Sequence, residues 1–301
     1  MSKKPYICIG LLALAVLGST ANADNLRDRL KELMDRNKPS QQAPQAAPAN
    51  APAAEEKEFK IPLVGKIPLE DEVRLGRQIA GNLLGAAPLV QDGALQQYVN
   101  RVGRWVALQS ERPDLKWTFG VIQSDDINAF AAPGGYVFIT RGLYAKLKDE
   151  GELAGVLGHE IAHVQQKHHL KVVQKSQLLG IGADLLKKRV DQGGAAAQRV
   201  IGSGAEILSR GLDKDAEFEA DRLGVVLAAR AGYDAWGLPS VLQEISAVSS
   251  SDSAVGMLFK THPHPDERLS RLGDAMGERL DSLKPSDNGK GRFYKLAAKS
   301  P

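Results

Sequence analysis

The stretch GELAGVLGHEIAHVQQKHHL, residues 151–170, carries four of the chain's six histidines. Its surroundings predict a helix. Asp149 precedes Glu152 by three residues, as in a capping box, and Leu153, Val156, Leu157 and Ile161 recur at helical spacing. Each helical residue turns the chain by about 100°, so His159 and His163 project about 40° apart on adjacent turns. Two imidazoles so placed can share one tetrahedral zinc ion, and Glu160 beside the first can reach a water there. The string HEIAH is thus an HExxH motif, with hydrolysis by metal-activated water as its chemistry. The alternative, two ordinary surface histidines, sits badly beside a stripe of apolar and small residues. His168 and His169 fall about 140° and 120° to either side of His163. With Lys167 and Lys171 flanking them, they read as a solvated face that cannot join the same metal unless the helix breaks.

Two histidines leave a catalytic zinc one protein ligand short. The second strong helical pattern is DKDAEFEADRLGVVLAARAG, residues 213–232. Glu217 and Asp221 share one of its faces, which Ala220, Gly224 and Ala228 extend with small residues. Gly151, Gly155, Gly158 and Ala162 supply matching small residues on the histidine helix, so the two could approach closely. Glu217 is the third ligand on this reading. Asp221, one turn on, can accept a hydrogen bond from a liganding imidazole and hold its tautomer. An exposed acidic helix face is the alternative.

Taken together, HEIAH, EFEAD and THPHPDER resemble the HtpX-like metallopeptidase family, which also holds the CAAX prenyl proteases and the Oma-type mitochondrial proteases. The family pattern is HExxH, a later ExxxD and an HPxxxxR, matched here by His159-Glu160-His163, Glu217-Asp221 and His262-Pro263-Arg268. NAFAAPGGYVFITRGL also resembles the strand-turn-strand that precedes the family's zinc helix. The likeness runs over roughly residues 65–280. It implies one zinc ion per chain held by His159, His163 and Glu217, with Glu160 as general base in peptide-bond hydrolysis. It also implies protein quality control as the role, with unfolded or misassembled polypeptides as substrates. The HP match puts His262 in the zinc cleft, donating to the oxyanion or filling the open metal position; an exposed ring in a turn is the alternative. Arg268 would fix that loop by pairing with an acidic group that the sequence does not name. Between the ligand helices lies no long apolar pair of spans, which favours the soluble, exported branch of the family.

The elements that must position these residues follow from the rest of the chain. At 301 residues, 43% hydrophobic and 25% charged, the composition is that of a globular protein. A net charge of +3 with scattered basic residues excludes a nucleic-acid-binding stripe, so no nucleic-acid partner is expected. Lys3 and Lys4, the apolar run Ile7 to Leu17 and Ala21-Asn22-Ala23 read as a signal peptide over 1–23. An uncleaved anchor is the alternative, but the run is shorter than the roughly 18–20 residues a bilayer needs. Cys8, the only cysteine, lies inside that leader, so the mature chain would hold no thiol and redox chemistry is excluded. The periplasm of a Gram-negative bacterium fits, with the protein free or peripheral to a membrane. Residues 24–60 combine an amphipathic segment with a Pro/Ala/Gln-rich linker, a metallopeptidase domain is expected over 61–283, and a polar tail that frays over 284–301.

The expected fold is α+β and mainly α, a zincin-like domain with a small sheet beside the HExxH helix. Helical patterns run over about 69–84 and 94–109, a strand over KWTFGVIQS, and two more strands over INAFAAPGGYVFIT. Asn128 and the strand from Gly134 to Thr140, with Gly135, Tyr136 and Val137 foremost, are candidates for substrate contact if that strand is an edge. Core packing is the equal alternative. Two functions therefore stand: an exported zinc endopeptidase, or a zinc-stabilised chaperone or outer-membrane assembly factor with latent or weak proteolysis. Glu160 favours the first, because a purely structural site needs no base. The 24–57 tether keeps the second open, through a link to membrane-associated assembly machinery.

Overall fold

The computed structural model describes residues 62, 65–176, 212–249, 252–277 and 288–296. The expected signal peptide, the amphipathic 24–37 segment and the linker lie outside the described residues. Helix α1 (Leu69–Ala86) opens with Glu70, Asp71 and Glu72, acidic groups that suit a helix N-terminus, and turns Leu75, Ile79 and Ala80 inward. Helix α2 (Gly93–Ala107) starts at Asp92, whose carboxylate accepts from the Leu95 N–H, and buries Leu95, Val99, Val102 and Val106 at helical spacing. Three strands follow, β1 (Thr118–Ile122), β2 (Ala129–Ala132) and β3 (Tyr136–Thr140). The remaining helices are α3 (Arg141–Tyr144), α4 (Glu150–Gln165), α5 (Lys214–Arg230), α6 (Gly237–Ser246), α7 (Leu258–Thr261) and α8 (Pro265–Met276). The chain is therefore α+β and mainly helical, with the sheet packed beside α4.

Sheet order is β1-β3-β2, with β1 parallel and β2 antiparallel to β3. Gly134 and Gly135, at φ +78° and +95°, close the tight β2–β3 turn in backbone geometry that side chains disfavour. This order corrects one expectation. The strand proposed as a substrate-binding edge, Gly134 to Thr140, lies at the centre of the sheet with both edges paired. Val137 is fully buried and Asn128, just before β2, is fully buried too. Among the described residues β1 and β2 are the two margins of the sheet; the outer side of β1 is met by the Leu89–Ile122 bridge and by the Gln96 side chain on Val121, which leaves β2 as the margin on the cleft.

Helix α4 begins with a variant of the capping box: the N-cap Asp149 accepts from the Glu152 N–H, and Glu152 accepts in return from the N–H of Lys148, one residue before the cap. All sixteen of its residues are buried, so it is the central helix and not a half-exposed one. Leu153, Leu157 and Ile161 are fully enclosed, each worth about 1.5–3 kcal/mol of apolar burial. Helix α5 crosses it backbone to backbone at Gly158 and Gly224, where a methyl group on Gly158 would stand 2.7 Å from the Gly224 carbonyl oxygen.

The end of the chain also departs from expectation. Residues 288–296, read as part of a fraying tail, pack onto α2 and α4. Phe293 stacks on Tyr144 at 5.4 Å, the Tyr144 hydroxyl donates to the Tyr294 carbonyl, and Arg292 pairs with buried Glu150. Glu150 also accepts from the hydroxyls of Tyr98 and Tyr233. Burial pushes its carboxyl up, but Arg292 and the two hydroxyls outweigh that and hold it below the ordinary range.

Candidate metal centre

The Gly158–Gly224 crossing sets the register of the two helices. One residue beyond Gly158 on α4, His159 meets Asp221 on α5, with Nδ1 2.9 Å from Oδ1. One turn further, His163 meets Glu217, so the two helices run antiparallel past each other. The Nε2 atoms of His159 and His163 stand 2.9 Å apart, and each lies 3.6 Å from an oxygen of Glu217. His262, in the loop between α7 and α8, joins them: its Nδ1 is 2.7 Å from Glu217 Oε2. One donor atom from each of these four residues falls within 4.8 Å of the other three. Four tetrahedral donors at about 2.0–2.1 Å from a zinc ion would be separated by about 3.3–3.4 Å, so these spacings straddle the required value.

Chemistry of the donor set supports a cation there. Glu217 is fully buried, and its Oε1 has no hydrogen-bond partner. Burial should push this carboxyl up, yet the adjacent His262, by charge and hydrogen bond, holds it down as an anion. A buried carboxylate oxygen without a donor is costly, by several kcal/mol, unless a positive charge faces it. Asp221 is held low, against its burial, by the charge and paired hydrogen bonds of Arg268, which donates from Nε at 2.9 Å. An ionised Asp221 requires the proton of His159 on Nδ1, which leaves the Nε2 lone pair directed at the cluster. Arg268 is also buried against the His159 ring, its Nη2 3.3 and 3.5 Å from the two ring nitrogens. The acidic partner that the sequence could not name for Arg268 is thus Asp221, and the pair joins α8 to α5.

Glu160 follows His159 on α4 and is buried beside the cluster. It lines a narrow cleft with Ala129, Phe130 and Ala131 of β2, His169 and His262. Burial pushes its carboxyl above the ordinary range, while the positive charge of neighbouring imidazoles pulls it down in part. A base enclosed beside a cluster that can hold a cation is suited to taking a proton from water.

Two residues set aside in the sequence belong here. Helix α4 breaks after Gln165, with Lys167 in the left-handed region at φ +57°, and a new helical segment begins at residue 168. The solvated face expected for His168 and His169 is therefore absent. His168 is buried, with its Nδ1 2.9 Å from His163 Nδ1 and its Nε2 3.2 Å from Glu219 Oε2. His169 faces the cleft with a buried Nδ1 that has no partner, and burial drops its pKa to about 4. Of the substrate-contact candidates, Asn128, Gly135, Tyr136 and Val137 are not brought to the cleft; Tyr136 packs against α1 instead. Their place at the cleft wall is taken by Ala129–Ala131.

Residues 93–275 match Peptidase family M48. The beta-barrel assembly-enhancing protease of Yersinia pestis is 31% identical over 236 residues, covering 76% of this chain and 48% of that protein. The protein of the same name from Escherichia coli strain K12 is 30% identical over 253 residues, covering 80% of this chain and 50% of its own. Mitochondrial metalloendopeptidase OMA1 of Schizosaccharomyces pombe is 27% identical over 190 residues, covering 63% of this chain and 56% of its own. The chain spans about half the length of the beta-barrel assembly-enhancing proteases it matches.

Proposed function

This chain belongs to Peptidase family M48, and on that premise we propose that it is a zinc-dependent endopeptidase with Glu160 as its general base. The observation that carries the reading is the convergence of His159, His163 and the unpartnered Glu217 oxygen on one point, with Glu160 buried beside it. His159, His163 and Glu217 would hold the ion. When bound, zinc supplies Lewis acidity, polarising the scissile carbonyl and acidifying a water. Glu160 takes the proton of the attacking water and delivers it to the leaving amine, so the peptide bond breaks without a covalent enzyme intermediate. Asp221 and Arg268 keep the His159 ring in the tautomer that this requires. His262, hydrogen-bonded to Glu217 through Nδ1, leaves Nε2 for the cleft, where it can donate to the developing oxyanion. The same ring is close enough that it could supply a fourth donor to the ion.

An extended substrate fits the unpaired side of β2. The Thr140 N–H donates to the Asn128 carbonyl, so the antiparallel alternation turns the backbone groups of Ala129 and Ala131 to the other side, toward the cleft; there the Ala129 N–H is taken by Asn128 Oδ1, so pairing would use the Ala129 carbonyl and the backbone of Ala131. Main-chain pairing there would bind unfolded segments with little demand on sequence. The leader expected at residues 1–23 supports export to the periplasm. The relatives' printed names support a link to β-barrel assembly; unfolded or misassembled polypeptides are the substrate class we propose. No helix among the described residues is long and apolar enough to cross a membrane. The test is cleavage of unfolded casein by wild type and Glu160→Gln, with zinc content measured for both. The variant is expected to keep zinc and lose cleavage. Equal cleavage by the two would remove Glu160 as base, and zinc without cleavage in either would favour the zinc-stabilised assembly factor.

A further inference from the structure

We propose that His168, steered by Glu219, is a positioning residue that fixes His163 in the tautomer able to bind metal; this rests on the zinc reading above. The three groups form a chain: Glu219 Oε2 to His168 Nε2 at 3.2 Å, then His168 Nδ1 to His163 Nδ1 at 2.9 Å. Each link constrains the next. Glu219 is an acceptor, so the His168 proton sits on Nε2 and its Nδ1 carries a lone pair. His163 must then donate from Nδ1, and its own Nε2 lone pair faces His159 and Glu217. With the opposite His168 tautomer, a lone pair would face the Glu219 carboxylate, and His163 would turn an N–H into the metal position.

The arm mirrors the one on the other imidazole, where Asp221 fixes His159 directly. Here a second histidine is interposed, because Glu219 projects to the far side of α5 from Glu217. Its side chain is 41% exposed, and it rims a surface depression with His168, Lys171, Arg222 and Arg271. Glu219 therefore acts by direction more than by strength, since an exposed carboxylate is screened by water. His168, only 3% exposed, makes the decisive contact. The break at Lys167 is what swings it back over His163. With both arms in place, two ring lone pairs 2.9 Å apart and one unpartnered carboxylate oxygen meet at one point. That arrangement is repulsive until a cation occupies it.

The test has two readouts that do not depend on turnover. In metal-free wild type, nitrogen-15 NMR of the imidazoles should show His163 protonated on Nδ1 and His168 on Nε2. Zinc affinity, measured by competition with a chelator, should fall by about 10–100-fold in His168→Leu. In His168→Asn, whose Oδ1 can accept near the original Nδ1 position, it should return to within about threefold of wild type. His163 protonated on Nε2 in the metal-free protein would overturn the proposal. So would His168→Leu binding zinc within about twofold of wild type, or His168→Asn binding as weakly as His168→Leu, which would mean a packing role alone. Should His168→Leu fail to fold, Glu219→Leu on the exposed side keeps the question open to measurement: His168 should become a mixture of tautomers, and an unchanged spectrum would count against the arm. Wild type that binds no zinc would refute the peptidase reading itself, a result distinct from any of these.

Discussion

Replacing Gly158 with alanine puts a methyl group where α4 and α5 cross. On the present backbone it would stand 2.7 Å from the Gly224 carbonyl oxygen and 3.3 Å from the Gly224 Cα. All of these neighbours are backbone, so no side chain can swing aside. Ordinary contact begins at 3.4 Å, and in an interior packed this closely the helices must part by about 0.7 Å. Alanine favours the helix by about 1 kcal/mol over glycine, while overpacking costs about 1–3 kcal/mol. The net loss of stability is then at most about 2 kcal/mol, and the protein should still fold. The site should suffer more. Glu217 and Asp221 ride on α5 and the histidines on α4, so a shift of that size exceeds the roughly 0.2 Å tolerance of metal–ligand distances. Zinc affinity should fall by about 10–100-fold. The assay pairs thermal unfolding of the metal-free protein with zinc competition, using Gly81→Ala as control. Gly81 lies on α1 with nothing within 4 Å of an added methyl group, so that variant should gain about 1 kcal/mol and bind zinc normally. The reasoning fails if Gly158→Ala behaves in the same way as Gly81→Ala.

Three further outcomes are expected. Arg268→Met leaves the 1%-exposed Asp221 carboxylate without its cation, costing about 3–5 kcal/mol; denaturant unfolding should show that loss together with weakened zinc binding, and a stability within about 1 kcal/mol of wild type would contradict the pairing. Glu150→Gln should loosen residues 288–296, costing about 2–3 kcal/mol at neutral pH. Because the Glu150 carboxyl is held below its ordinary value of 4.5, the stability it contributes is complete above that value and disappears as pH falls through the lowered one. The difference between wild type and Glu150→Gln should therefore shrink on acidification, and a gap that widened would reverse the assigned sign. His262→Ala should retain zinc while losing about 10²–10³ in turnover if the ring donates to the oxyanion; unchanged turnover with an unchanged spectrum of the cobalt-substituted site would remove His262 from the mechanism.

Helical arithmetic located what regular helix could position. His159, Glu160 and His163 lie within four uninterrupted turns of α4, and Glu217 and Asp221 lie one turn apart on α5, so spacing alone aligned them. The same arithmetic misplaced His168 and His169, because it ran the helix on past Gln165. A lysine at positive φ gives no local sign of such a break, as a glycine would. Strand order was equally hidden. The sequence predicts one strand in KWTFGVIQS and two about the Pro-Gly-Gly turn of INAFAAPGGYVFIT, but the parallel pairing of β1 with β3 puts the last of them at the centre and β2 at a margin, and that depends on contacts remote in sequence. The polar composition of 284–301 concealed Phe293 and Tyr294, two adjacent aromatic residues in a polar run. That pair is the local signal of packing, outnumbered by its polar neighbours. Arg268 could be marked as needing a partner, but only the docking of α8 on α5 identifies Asp221.

The central claim is that His159, His163 and Glu217 hold one zinc ion. Its most direct test is metal stoichiometry by mass spectrometry on wild type and Glu217→Gln purified side by side and equilibrated with zinc against a competing chelator. The account predicts one zinc per wild-type chain and severe loss in Glu217→Gln, with both proteins folded. A wild type without zinc, or a Glu217→Gln variant that retains it at wild-type affinity, would contradict it.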